Sequence, residues 1–145
     1  IKESVKRNKK LVKKQEERIS EIIQKDSTHN YISSSDGFWY YYNNKLETPA
    51  KTPKFGDLVY FNYNVKNLNN ELIYSKEDLA TQNYYIDQQD LFSGLREGLK
   101  LMKEGEIITF IFPSQKAYGY YGDNDQIGRN VPLICEVSLL KHQIN

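Results

Sequence analysis

A single cysteine among 145 residues leaves nothing for an internal disulfide to join, so the chain has no disulfide framework and carries no statement of its redox compartment. Cys135 lies in the apolar run LICEVSLL, where it reads as a small hydrophobe rather than a nucleophile. No apolar stretch approaches the ~20 residues that a helix needs to cross a bilayer. Histidine is scarce as well. His29 and His142 are the only two, neither has Cys or His at zinc-ligand spacing, and both read as surface residues. A nucleophile elbow and a glycine-rich phosphate loop with its lysine are missing. DNDQIG, residues 123–128, starts like a calcium loop with Asp123 and Asp125, but Ile127 and Ile134 stand where oxygen ligands are required. Neither metal nor cofactor is expected. The formal net charge of +1 offers no overall field for nucleic acid.

What charge there is lies unevenly. Residues 1–26 hold nine Lys or Arg against five acids, and the remainder is mildly acidic. Residues 2–25 contain no Gly or Pro, and Val5, Val12 and Ile19 recur at heptad spacing with Ile22 behind them, which predicts a helix. Its apolar stripe is thin, because Asn8 and Gln15 take the other seam positions. Two readings stand side by side: a stalk or pairing surface that makes a homodimer through this helix, and a solvated basic linker to a membrane anchor. The chain opens on Ile1 without methionine and reads as trimmed, with any contact to a membrane made through a lipid anchor outside it.

The length suits one domain with a proper core and an appendage. The division expected is therefore a helix over 1–26 and one domain over 27–145. Residues 26–37 read as a polar connector, and FWYYYN as an added strand. GDLVYFNYNV alternates, with Val59, Phe61, Tyr63 and Val65 on one face and Leu58, Tyr60, Asn62 and Asn64 on a wetter one. Asn69 and Asn70 supply turn chemistry before ELIYS, which suggests a hairpin-like pair. Leu95, Leu99 and Met102 share one helical face, with Ser93 able to cap its start and Gly105 its end. EIITFIFP and PLICEVSLLKH complete four or five strands around one short helix. The fold class expected is α+β, an antiparallel sheet wrapped over that helix.

Aromatics crowd the turns, nowhere more than in KAYGYYGDND, and here the residues become recognisable. GDLVYFNY, LNNELIYS, LFSGLREGLKLMKEGE, PSQKAYGYYG and PLICEVSLLK resemble, in order and spacing, the FK506-binding-protein family of peptidyl-prolyl isomerases, over residues 55–142. The A-Y-G-x-x-G element and the G-x-x-x-G-x-x-x-M-x-x-G-E segment are specific in combination. The N-terminal helix and FWYYY strand look like those of cell-envelope members, most of all the gliding-motility-associated ones, which are lipoproteins.

The resemblance implies an isomerase of X-Pro bonds in folding envelope proteins. Its partners would be proline-containing segments and not nucleic acid, and its place the periplasm or envelope. Tyr118, Tyr63 and the backbone N–H of Phe92 would act on the bond, within a wall of Ile73, Tyr74, Tyr84, Leu91, Leu95, Ile127 and Cys135. Tyr120 and Tyr121 would extend the rim. Departures from the family pattern fall in that pocket: Leu95 stands for its usual tryptophan, Tyr74 for an aspartate, Cys135 for a phenylalanine, Gln82 for an aromatic, and Ile127-Gly128-Arg129 for I-P-P. A chaperone or binding module that holds a partner segment without useful turnover is the alternative.

Overall fold

The computed structural model describes residues 2–145. Ile1, with which the expected helical segment opens, lies outside the described residues. Helix α1 spans Lys2–Lys25, matching the stretch without Gly or Pro. Strands follow in chain order: β1 (Ile32–Ser33), β2 (Trp39–Asn44), β3 (Leu58–Tyr63), β4 (Val65–Lys66) and β5 (Leu72–Tyr74). Helix α2 (Lys76–Leu79), β6 (Gln82–Tyr85), helix α3 (Ser93–Leu99), β7 (Ile107–Phe112), a 3-10 turn (Ser114–Lys116) and β8 (Leu133–Gln143) complete the chain.

Among the described residues the eight strands form one antiparallel sheet, ordered β1-β2-β7-β8-β3-β6, with β4 joining β8 and β5. The long β8 ties it together, because it pairs with β7 along one edge and with β3 and β4 along the other. Alternation along β3 is as the sequence predicts: Val59, Phe61 and Tyr63 are buried while Leu58, Tyr60 and Asn62 are half-buried. The Asn-rich hairpin joins β4 to β5, and its organiser is Asn67. The Asn67 side chain accepts from the N–H groups of Asn69 and Glu71, while Asn70 takes a positive φ of 65°.

Helix α3 packs on the sheet through Leu95 and Leu99, both fully buried; Met102, expected on the same helical face, lies three residues past its end and is fully buried there. Its glycines set the distance. A Cβ on Gly94 would come within 2.4 Å of the Phe112 ring, and one on Gly98 within 2.8 Å of the Phe110 ring. The G-x-x-x-G spacing thus lets helix backbone lie against two stacked phenylalanines, whose centroids are 5.4 Å apart. Glu106 ends the same motif as a buried carboxylate that accepts from Lys103 N–H at 2.8 Å and Leu46 N–H at 3.1 Å.

Five local expectations change. Ser93 lies inside the helix and Phe92 is its N-cap, with no side-chain hydrogen bond. Gly105, at φ 93°, turns the chain into β7 and donates to Leu139, so it does not cap α3. The polar connector contains β1, and Gln82–Tyr85 forms the edge strand β6. His142 is half-buried with its side chain enclosed: its Nε2 lies 2.7 Å from Asp57 Oδ2, and Asp57 also accepts from the N–H groups of Lys54 and Asn145. Two polar groups enclosed together satisfy each other, which is why the histidine is inside.

Helix α1 meets the body through its C-terminal half. Ile19 is fully buried, and Gln15, expected on a seam between helices, turns inward. The Gln15 carboxamide accepts from Ser114 N–H at 2.9 Å and donates to the Asn130 carbonyl at 3.1 Å. Arg18 bonds Asn69.

Candidate active site

The strand β3, the start of α3 and the loop after β7 bring the expected residues to one place. Leu95, Cys135 and Ile127 are buried to 2 % exposure or less, with Tyr84, Tyr63 and Phe92 buried beside them. Above this floor, Ile73, Tyr74, Leu91 and Tyr118 are half-buried and pack against the same cluster. The Phe92 and Tyr118 rings lie 5.0 Å apart, and Phe92 also meets Phe112 edge-on at 5.5 Å. The inner part of this cluster is apolar and sealed, while Ile73, Tyr74, Leu91 and Tyr118 keep part of their surface accessible.

The loop geometry follows from its glycines. Gly119 and Gly122 take φ of 61° and 66°, and a Cβ at Gly122 would sit 2.3 Å from the Ile127 carbonyl. Gly119 N–H returns to the Ser114 carbonyl at 2.9 Å, which turns Tyr118 toward Phe92. Tyr120 goes the other way. It lies beside α1 under the Arg129 guanidinium and lines a groove there, while Tyr121 is 84 % exposed.

The polar groups divide into spent and unspent. Tyr84 accepts from Asp87 N–H at 3.1 Å and is a strut behind the floor. Tyr74 donates to Asp123 Oδ2 at 2.5 Å and accepts from Gln126 N–H at 3.1 Å, while Asp123 Oδ1 accepts from the N–H groups of Asp125 and Ile127 at 2.9 Å each. This network seats Ile127 in the floor. Tyr63 and Tyr118, by contrast, have no hydrogen-bond partner for their hydroxyls among the described residues, where the one sealed and unpaired side-chain nitrogen or oxygen is Arg96 Nε. Neither hydroxyl is therefore sealed off from solvent. The N–H of Phe92 is unpaired too, although its carbonyl accepts from Arg96 N–H to start α3.

Electrostatics keep these hydroxyls as donors. Burial pushes Tyr63 well above the ordinary tyrosine range, assisted by Tyr118, Cys135, Tyr74 and Asp123 nearby. Burial also raises Tyr118, with Asp123 next in effect. Tyr74 is pushed up to about 12 by burial and then by its bond to Asp123. Burial would raise Asp123, but the Tyr74 hydroxyl and the backbone N–H groups outweigh it and hold the carboxyl below its usual range. Burial raises the Cys135 thiol far above reactivity.

Asp123 is the residue sequence reasoning missed. A tyrosine where an aspartate is usual prompts a search for a carboxylate elsewhere, and Asp123, dismissed as a failed calcium ligand, supplies it. Gln82, where an aromatic was expected, donates to the Leu79 carbonyl at 2.6 Å and closes α2.

Comparison with known proteins places this arrangement. A family model described as FKBP-type peptidyl-prolyl cis-trans isomerase matches residues 50–140. A Neisseria meningitidis serogroup B protein named "Probable FKBP-type peptidyl-prolyl cis-trans isomerase FkpA" is 46% identical over 48 residues, 33% of this chain and 18% of its own length. Peptidyl-prolyl cis-trans isomerase FKBP10 of Bos taurus is 32% identical over 99 residues, 68% of this chain and 17% of its own. The chain thus spans under a fifth of these curated relatives. The crystal structure of FkpA from Escherichia coli superposes with a TM-score of 0.71 at 24% identity, covering 98% of this chain and 62% of that one. A peptidyl-prolyl cis-trans isomerase from Pseudomonas syringae pv. tomato gives 0.69 at 21%, covering 94% and 96%.

Proposed function

The chain belongs to the FKBP-type peptidyl-prolyl cis-trans isomerase family, and from that membership and the site's geometry we propose that it isomerises X-Pro bonds in folding cell-envelope proteins, gliding-motility components among them. The observation that carries this reading is the pairing of a closed apolar floor with unspent donors, the Tyr118 and Tyr63 hydroxyls and the Phe92 N–H. Rotation about an X-Pro bond is opposed by amide resonance, a barrier of ~20 kcal/mol, and breaks no covalent bond. As the amide twists, its carbonyl loses polarity, so a dry surface disfavours the planar ground state more than the twisted state. The proline ring would lie against the partly exposed Ile73, Tyr74 and Leu91, which rest on the buried Leu95, Ile127 and Cys135, with Tyr118 and Phe92 N–H holding carbonyls on either side. The replaced positions Leu95 and Cys135 are each 0% exposed, so they act as apolar packing beneath the partly exposed wall.

The envelope address and a lipid anchor beyond this chain belong to the proposal and rest on the likeness to envelope members. The alternative, a module that holds a proline segment without turning it over, draws on the departures at Tyr74 and Leu95. Proline-limited refolding separates the two. Catalytic amounts of protein should accelerate the slow phase, and Tyr118→Phe, which removes one hydrogen bond, should lower kcat/KM about tenfold with Tm unchanged. Unchanged refolding at stoichiometric protein, with clear binding of a proline peptide, would establish the module instead.

A further inference from the structure

We propose that the groove between the N-terminal half of α1 and the tyrosine loop is a second grip on the substrate chain, taking acidic and apolar residues that flank the proline. It rests on the isomerase reading above. The groove encloses about 820 Å³, and its walls include Val5, Leu11 and Val12 on α1 and Gly119 and Tyr120 on the loop. Gly119 and Tyr120 directly follow Tyr118, so one loop carries a tyrosine facing the site and another facing the groove. A chain leaving the site along this loop enters the groove. Val5 is 48% exposed and Tyr120 56%, which leaves apolar surface for a partner.

Charge selects the occupant. Among the described residues, Arg7 and Arg129 line the groove and no carboxylate does. The Arg129 guanidinium lies 4.3 Å from the Tyr120 ring centroid, a stacking that holds the cation at the lip. An acidic segment would complete these cations. Length also fits. From Ser4 to Val12 the helix rises about 12 Å, room for about four residues of extended chain. Gln15, bonded to Ser114 and Asn130, anchors α1 beyond the far end.

The test compares two proline peptides of equal length whose flanking residues are Glu in one and Lys in the other. The protein should favour the Glu peptide about fivefold in kcat/KM, a preference that shrinks as salt rises. The double variant Arg7→Glu, Arg129→Glu should reverse the order of the two peptides, which a misfolded protein would not do. Equal turnover of both peptides would overturn the proposal, as would a preference that survives the double variant. A concentration-dependent dimer that excludes the labelled Glu peptide would overturn it in favour of a second copy. A protein that binds the Glu peptide preferentially by anisotropy but turns over neither would sink the isomerase reading and uphold the groove.

Discussion

Helix α3 runs for seven residues and buries Gly94, Leu95, Gly98 and Leu99, whereas α1 runs for 24 and buries only Gln15 and Ile19. The short helix has no side-chain cap and would not persist alone; its contacts with Phe110 and Phe112 hold it. The long helix forms from residues of high propensity but is located by one isoleucine and a few hydrogen bonds. Packing holds the site's elements on many sides, while few contacts hold α1, which should therefore be releasable without unfolding the body. Such a difference suits a fixed site beside an adjustable groove.

The sharpest way to break the comparison is to separate α3 from the sheet. Gly94→Ala places a methyl against the Phe112 ring and the Lys116 carbonyl and should cost about 3 kcal/mol, seen as a lower urea midpoint for the whole body. Next comes the latch at the far end of β8. Asp57→Asn removes charge-assisted bonds to His142, Lys54 and Asn145 and should cost about 2 kcal/mol. The bonds from Asn145 and His142 lower the Asp57 carboxyl to about 2. A depressed carboxyl adds stability above the unfolded value of about 3.9, and that stability disappears as pH falls through about 2. The gap between parent and variant in thermal melts should therefore close over that window.

A smaller effect is expected at α1. Gln15→Ala leaves the Ser114 N–H without its acceptor and should cost about 1.5 kcal/mol. Proteolysis within residues 2–25 should quicken while body amides keep their hydrogen-exchange protection; loss of protection throughout would mean that α1 is part of the core. Smallest is Tyr74→Phe, at about 1 kcal/mol, because Asp123 retains its backbone partners. Faster exchange confined to the Asp125 and Ile127 amides is the outcome that would mark the network as local.

Much of this was legible beforehand. The spacing of Leu95 and Leu99 and the alternation of Val59, Phe61 and Tyr63 follow from the two periods of helix and strand, and these residues are buried as named, whereas Met102 is buried beyond the end of the helix. Short elements were not legible. Ile32–Ser33 and Gln82–Tyr85 are too brief to show a period, and they exist because β2 and β3 offer edges. Ser93 carries a good capping side chain, yet the helix starts one residue earlier.

Local pattern by itself determined where the long elements lie and which of their faces turn inward, since burying apolar surface is a property each segment carries with it. Tertiary structure alone decided the long-range partners: Tyr74 with Asp123, Asp57 with His142, Gln15 with Ser114. Each pair joins residues at least 49 positions apart through bonds that form only once register and twist have brought two strangers within 3 Å, and no period in the chain encodes that meeting.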